Sequence, residues 1–334
     1  MKKISIIGAG GWGTALAIVL ARSRAAHRIA LWVREEDICA SLKTEGKNPV
    51  FLPGFTIPPE TEVTGDLGEA LAEAELVVTA IPTAHMRKTC AAMLPFLTPT
   101  MAFASAAKGL ETESLLRMTE VIEQTLGSKL RPRVAAISGP SFAKEVARGD
   151  PTAMVTASAD RQLATEVQQE FSGPTLRLYT NDDVIGVEMG GALKNVIAIA
   201  AGVAEGLGLG HNTIAALITR GLTEMTRLGT AMGARRETLA GLSGMGDLVL
   251  TCTGDLSRNR TVGVELGRGK KLEDILKVMR TVAEGIGTTA AARTLARKVG
   301  IEMPIAEQMY SVLYEGRAPR DAIRELMERK LKPE

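Results

Sequence analysis

The chain has 334 residues, 45% of them hydrophobic and 23% charged, which is enough for two domains that each bury a core. Its 40 Lys and Arg nearly balance 38 Asp and Glu, no basic run occurs, and aromatics are only 3%, so neither an electrostatic footprint for nucleic acid nor a base-stacking platform is present. Three scattered cysteines, Cys39, Cys90 and Cys252, show neither metal spacing nor a disulfide framework, the usage expected of a reducing cytoplasm.

Ile4, Ile6 and Ile7 read as a short buried strand, which leaves no room for a signal peptide ahead of it. GAGGWGTAL follows, with Ala15, Leu16, Val19 and Leu20 then recurring at helical spacing. Gly8, Gly10 and Gly13 spell G-x-G-x-x-G between a strand and a helix, the dinucleotide-binding fingerprint. The first glycine allows the tight turn, the second lets backbone approach a pyrophosphate, and the third lets the helix pack on the strand. The helix N-terminus offers N–H groups to the anion.

A second strand, RIALWVREE, ends in Arg34 and Glu35. An acidic residue at this distance holds the adenosine ribose of NAD, whereas an arginine accommodates the 2′-phosphate of NADP. Both are present, and Arg34 favours NADP. NPVFLPGFTIPPE reads as a proline-rich surface loop. ELVVTAIP, MAFASAA and RVAAISGP are continuous apolar runs separated by helical patterns, so they imply a parallel sheet covered on both faces. TAMVTAS and TLRLYT extend it. Beyond Asn181 the strand pattern stops and Ala/Leu/Ile-rich helical stretches dominate. The expected architecture is α/β: a Rossmann-like, doubly wound, mostly parallel domain over 1–180 and an all-helical domain over 181–334. The longest apolar run, Val196 to Ala204, is too short to span a bilayer. Ligands of such sheets bind beyond the carboxyl ends of the strands, which places the substrate in the cleft between the domains.

Several polar residues stand where chemistry is expected. Lys108 leaves the carboxyl end of a strand, and Gly139, Pro140 and Ser141 turn at the end of the next. Lys194 lies in VEMGGALKNVIAIAAG among Gly190, Gly191, Ile197 and Ala198, with Asn195 beside it. Burial disfavours a charged lysine and makes it a usable acid or base, although a lysine can also snorkel at a helix edge. Asp247 follows a glycine turn, and Ser257, Arg258, Asn259 and Arg260 form a polar knot suited to phosphate. His27 reads as a surface residue, and none of His27, His85 and His211 has an obvious carboxylate partner, which leaves Lys194 as the better acid/base. The letters alone give no reason to single out Glu284.

GAGGWGTALA, the FLPG loop, AKGLE, ISGPSFAKEV with the following DPTA, GGALKNVIAIAAG, ITRGLTEM, GMGDLVLTCT, SRNR, VAEG and MPI occur in this order. Together, over essentially the whole chain, they resemble the bacterial-type NAD(P)-dependent glycerol-3-phosphate dehydrogenases. GGALKNV and GDLVLTCT…SRNR are the specific segments. The resemblance implies a two-domain cytoplasmic enzyme that reduces dihydroxyacetone phosphate to sn-glycerol 3-phosphate for phospholipid synthesis, with no metal. It assigns proton handling to Lys194. It makes Lys108 a contact to both cofactor and substrate, and assigns Gly139, Ser141, Asn195, Asp247, Ser257, Arg258 and Asn259 to the substrate. Gly11, Trp12, Arg34, Ala143, Val282 and Glu284 become cofactor contacts, with Arg258 reaching the cofactor too. The family more often has Ser where this chain has Gly11, which removes a hydroxyl near the pyrophosphate, and Ser or Thr where it has Ala107.

In the mechanism this suggests, Lys194 polarises the C2 carbonyl, Asp247 balances its charge, and the Ser257–Asn259 group holds the phosphate away from the reacting carbon. Two rivals remain: a lysine-using dehydrogenase of a hydroxy-carboxylate, which would not need the SRNR knot, and a cofactor sensor without turnover, which would not need Lys194 and Asp247 together. A homodimer is compatible with the apolar helical domain.

Overall fold

The computed structural model describes residues 2–331. It divides into two compact units, one formed by the chain up to Lys108 and by Leu116–Glu188, the other by Gly109–Leu115 and the chain from Met189 onward.

The first unit holds ten strands: β1 (Lys2–Ile7), β2 (His27–Trp32), β3 (Lys47–Asn48), β4 (Leu52–Thr56), β5 (Glu62–Thr64), β6 (Leu76–Thr79), β7 (Ala102–Ser105), β8 (Arg133–Ser138), β9 (Thr152–Ala157) and β10 (Leu176–Asn181). Eight of them form one sheet in the order β10-β9-β8-β7-β6-β1-β2-β5. Every neighbouring pair is parallel except β8 and β9, so the TAMVTAS and TLRLYT strands extend the sheet turned over.

Successive residues of the inner strands feed opposite layers. Val78 and Ala104 join Leu16, Leu20, Val167 and Phe171 on one face, while Val77 and Phe103 join Met86, Met118 and Ile122 on the other. Burial on both faces is why these strands read as unbroken apolar runs. β1 lies between β2 and β6: the chain builds outward through β2 and β5, then crosses to β6 on the other side. That reversal is the topological switch point, and such sheets bind ligands outside the carboxyl ends of the strands that flank it.

NPVFLPGFTIPPE is not a plain surface loop. It contributes the β3–β4 hairpin, and Asn48 and Leu52 are fully buried. His27 is also not a surface group. Its side chain has no exposure, its Nε2 lies 3.1 Å from the Glu170 carbonyl and its Nδ1 3.5 Å from Glu170 Oε2.

The helix Val184–Gly206, whose residues from Met189 onward belong to the second unit, has 23 residues, longer than the apolar run within it, because Lys194, Asn195 and several glycines interrupt the run without ending the helix. It is long and apolar enough to cross a bilayer, but 89% of its apolar window is buried inside the protein, which makes it a core helix. The helix Arg258–Gly267 crosses it in backbone contact. A Cβ on Gly202 would stand 2.1 Å from the Arg260 carbonyl oxygen, and one on Gly263 2.1 Å from that of Ile199. Gly206 and Gly267 continue the contact one turn on, so two G-x-x-x-G faces meet.

Candidate active site

The turn after β1 is shaped by close approach. Gly8 has φ +115, and a Cβ there would stand 2.7 Å from the Ala80 carbonyl oxygen, while one on Gly13 would stand 1.8 Å from that of Gly8. The helix Gly11–Ala21 starts from Gly10 with no side-chain cap. Space beside Gly10 is open, since a Cβ there would meet nothing within 4 Å. Trp12 Nε1 is buried and has no hydrogen-bond partner among the described residues. An uncapped helix start, an open flank and an orphaned donor together fit a dinucleotide pyrophosphate. Ala143 opens the helix Ala143–Arg148, and its Cβ would lie 3.8 Å from one on Gly11. Arg34 follows β2, is exposed, and is held at its strand end by Glu35, whose Oε1 lies 3.0 Å from Nε and 2.5 Å from Nη2.

A second cluster lies at the ends of the paired strands β7 and β8. Lys108 Nζ donates to the Gly139 carbonyl at 2.7 Å and to Ser141 Oγ at 3.2 Å, and Ser141 Oγ donates to the same carbonyl at 2.9 Å. Gly139 has φ +130, a left-handed conformation that suits glycine.

The third cluster belongs to the helical unit. Lys194 and Asp247 are 6% and 0% exposed, and Lys194 Nζ lies 2.7 Å from Asp247 Oδ1. It also donates to Thr251 Oγ1 at 2.7 Å, and that hydroxyl donates to the Asp247 carbonyl at 2.6 Å. Asp247 and Thr251 are one turn apart on the helix Asp247–Thr253, so both face the lysine. Gly190 does not make room for a ligand. A Cβ on it would stand 2.5 Å from the Ser243 carbonyl oxygen, so this glycine lets the Leu242–Gly246 turn pack against the lysine-bearing helix and brings Asp247 within reach. Burial pushes the neighbouring Cys252 thiol up to about 12, which keeps it neutral and unreactive.

Asn195 and Asn259 are buried and bonded, Asn259 Nδ2 donating to Asn195 Oδ1 at 2.8 Å. Ser257 caps the Arg258–Gly267 helix, its Oγ accepting from Arg260 N at 3.2 Å. Arg260 is committed to Glu205 and Asp255, at 2.7 and 3.0 Å. Arg258 makes no ion pair among the described residues. Its side chain is exposed, yet protein crowds the guanidinium closely enough that desolvation lowers its pKa from the usual value, with Glu284 opposing. Because it still reaches solvent, it remains a cation. The polar knot therefore separates into a structural arginine, Arg260, and one whose charge is open to a ligand, Arg258.

The family described as NAD-dependent glycerol-3-phosphate dehydrogenase, N-terminus, matches residues 3–164, and its C-terminal counterpart matches 183–324. The chain belongs to the NAD-dependent glycerol-3-phosphate dehydrogenase family. It is 58% identical over 330 residues to the glycerol-3-phosphate dehydrogenase (NAD(P)+) of Koribacter versatilis, covering 98% of each chain. It is 54% identical over 334 residues to that of Acidobacterium capsulatum, again covering 98% of each. The crystal structure of glycerol-3-phosphate dehydrogenase from Coxiella burnetii superposes with a TM-score of 0.93 at 40% identity, covering 98% of this chain and 99% of that one.

Most of the residues expected from sequence fall into three groups, with Arg34, Ser257, Arg258, Val282 and Glu284 outside them. The glycine turn gathers Gly8, Gly10, Gly11, Trp12, Gly13 and Ala143, the strand ends gather Lys108, Gly139 and Ser141, and the helical unit gathers Lys194, Asn195, Asp247 and Asn259. Val282 is exposed, and Glu284 opens the helix Glu284–Val299. Two residues were not anticipated, Thr251 and Asn48. Thr251 was visible as the i+4 position after Asp247 on an apolar helix. No group of three or more His, Cys, Asp or Glu able to hold a metal occurs among the described residues.

Proposed function

We propose that this chain performs its family's reaction, the NAD(P)H-dependent reduction of dihydroxyacetone phosphate to sn-glycerol 3-phosphate and its reverse, with Lys194 as the general acid and base. The observation that carries the reading is the buried Lys194–Asp247–Thr251 set, an ammonium held in one direction inside an apolar helix bundle.

When bound, the reduced nicotinamide supplies a hydride. Gly8, Gly10, Gly11, Trp12, Gly13 and Ala143 would hold the dinucleotide in the first unit, with Arg34 facing a 2′-phosphate and so favouring NADPH. Arg258, Val282 and Glu284 are the cofactor contacts of the helical unit. Lys194 donates a hydrogen bond and then its proton to the C2 oxygen of the substrate, which stabilises the alkoxide as it forms. Asp247 balances the ammonium's charge and aims it, and Thr251 accepts a second of its three N–H bonds. In the oxidation of glycerol 3-phosphate, neutral Lys194 accepts the hydroxyl proton. Arg258, at the start of its helix with Ser257 and Asn259, holds the phosphate, and Lys108 with Gly139 and Ser141 contacts the substrate. Binding energy from the phosphate orients the carbonyl, which is where it raises kcat.

Three buried free cysteines support a reducing cytoplasmic setting, with the product feeding glycerophospholipid synthesis. A homodimer is compatible with the apolar character of the helical unit, and light scattering would read it directly.

Oxidation of NADPH, followed by absorbance, should proceed with dihydroxyacetone phosphate and poorly with dihydroxyacetone. Arg258→Ala should raise KM and lower kcat for the phosphorylated substrate and matter much less for the other. Equal losses on both would remove Arg258 from phosphate binding. Turnover of a keto-carboxylate in place of dihydroxyacetone phosphate would favour the hydroxy-carboxylate reading.

A further inference from the structure

Asn48 lies in the segment whose sequence reads as surface loop, yet its side chain has no exposure. Its amide nitrogen donates to the Ala9 carbonyl at 2.8 Å and to Thr14 Oγ1 at 2.9 Å, and its carbonyl oxygen accepts the Phe51 N–H at 2.9 Å. An asparagine amide has two donor hydrogens and one carbonyl acceptor. Both hydrogens are therefore committed to the glycine-rich turn and the oxygen to the hairpin.

Ala9 stands between Gly8 and Gly10, and its carbonyl belongs to the same planar peptide as the Gly10 N–H. In a trans peptide these two groups point in opposite directions. A bond from Asn48 to that carbonyl consequently turns the Gly10 N–H away from the hairpin. The flank of Gly10 is the one place in the turn where a Cβ would meet nothing within 4 Å. The hairpin also presses on the turn directly, since a Cβ on Gly11 would stand 2.7 Å from the Phe51 carbonyl oxygen. Gly11 is thus matched to the hairpin that Asn48 anchors, which gives a physical reason for glycine there.

We infer that Asn48 is a positioning residue for the cofactor: it sets the Ala9–Gly10 peptide so that the turn presents its N–H to the dinucleotide pyrophosphate. The inference rests on the dehydrogenase reading above. It touches neither the substrate nor the proton-handling lysine, so its signature is a loss confined to cofactor binding.

The test is Asn48→Leu, similar in volume and without donors. NADPH affinity is read by fluorescence titration without substrate, alongside the thermal midpoint, kcat and the KM for dihydroxyacetone phosphate. The NADPH Kd should rise tenfold or more, while kcat at saturating NADPH stays within threefold and the substrate KM within twofold. A residue that only anchors the hairpin would lower the midpoint and leave the NADPH Kd unchanged, and that result overturns the inference. If Asn48→Leu does not fold, Thr14→Val removes one acceptor of the same amide, together with the hydroxyl's own long bond to the Ala9 carbonyl at 3.4 Å, and so loosens the same peptide. It should raise the NADPH Kd about threefold, and an unchanged Kd overturns the inference equally. A wild-type protein that binds NADPH without reducing dihydroxyacetone phosphate would instead overturn the dehydrogenase reading and leave the Kd comparison standing.

Discussion

Asn259 donates its side-chain amide to Asn195 Oδ1 at 2.8 Å, and its own Oδ1 accepts the Gly285 N–H at 2.9 Å. One asparagine thereby ties the residue next to Lys194 to the first turn of the Glu284–Val299 helix. Asn259→Ala leaves a buried N–H and a buried carbonyl oxygen without this partner, which costs about 1–3 kcal/mol. Urea denaturation should show that loss, and the KM for dihydroxyacetone phosphate should rise with it. A variant as stable as wild type would mean that water replaces the bridge and that the asparagine does not order this junction.

Gly263 lets the helix that carries Arg258 and Asn259 touch the helix that carries Lys194. A methyl there would stand 2.1 Å from the Ile199 carbonyl oxygen, and backbone cannot swing aside as a side chain can. Gly263→Ala should therefore force the helices apart, cost about 1–3 kcal/mol as overpacking does, and raise the substrate KM. NADPH affinity should fall less than substrate affinity, since of the proposed cofactor contacts only Arg258 lies on the displaced helix. A variant with wild-type stability and substrate KM would show that the crossing relaxes without disturbing the site.

The glycine turn, the strands and the burial of Lys194 were legible because each is written locally: a spacing, an apolar run, a lysine with no polar residue at i±3 or i±4. The Lys194–Asp247 pairing was expected from the mechanism the family resemblance suggests and not from any local pattern, since the partners are 53 residues apart and their meeting depends on Gly190 leaving room for the Ser243 carbonyl. Asn48 was hidden for a different reason. Proline and glycine in NPVFLPGF signal an exposed loop, but the asparagine is buried by long-range bonds to Ala9 and Thr14 that no local pattern encodes. His27 was misplaced likewise, because Glu170, which lies against its buried ring, comes 143 residues later. Gly202, Gly206, Gly263 and Gly267 were visible as small residues at helical spacing, but which faces they join is a tertiary fact.

Glu224 gives the fold a pH dependence with a definite sign. Its buried carboxylate caps the helix Pro304–Tyr314, accepting from Ile305 N at 2.7 Å and Ala306 N at 3.3 Å. Burial pushes its pKa from the ordinary 4.5 up to about 7, against those two N–H groups. The folded protein then holds this proton more tightly than the unfolded chain does, so the group's contribution is full below the unfolded value and is lost as pH rises through the folded one. Relative to Glu224→Gln, the wild type should lose stability between about pH 4.5 and pH 7, by up to about 3 kcal/mol. Parallel stability curves for the two proteins across that window would contradict the raised value.

Arg34 is the proposed source of cofactor preference. It is exposed beyond β2 and paired with Glu35, so it contributes little to the fold. Arg34→Ala should weaken NADPH much more than NADH, by roughly ten- to a hundredfold, as expected for loss of a charged contact. Equal losses for both cofactors would shift recognition to Glu35 and the ribose.

In the proposed mechanism Lys194 moves the proton. Reduction requires the ammonium, so kcat/KM for dihydroxyacetone phosphate should fall as pH rises, while oxidation of glycerol 3-phosphate rises over the same range. Lys194→Arg should not restore activity, because a guanidinium holds its proton too tightly to donate it. Since Lys194→Met leaves Asp247 buried without its counter-ion, a loss of about 3–5 kcal/mol in stability accompanies it, and the kinetics must be read on folded protein. The most direct measurement is therefore the single-turnover rate of NADPH oxidation by folded, NADPH-saturated Lys194→Met with dihydroxyacetone phosphate. The rate should fall by about 10²–10⁴ with NADPH affinity nearly intact; a folded variant that binds NADPH and turns over at close to the wild-type rate would contradict the account.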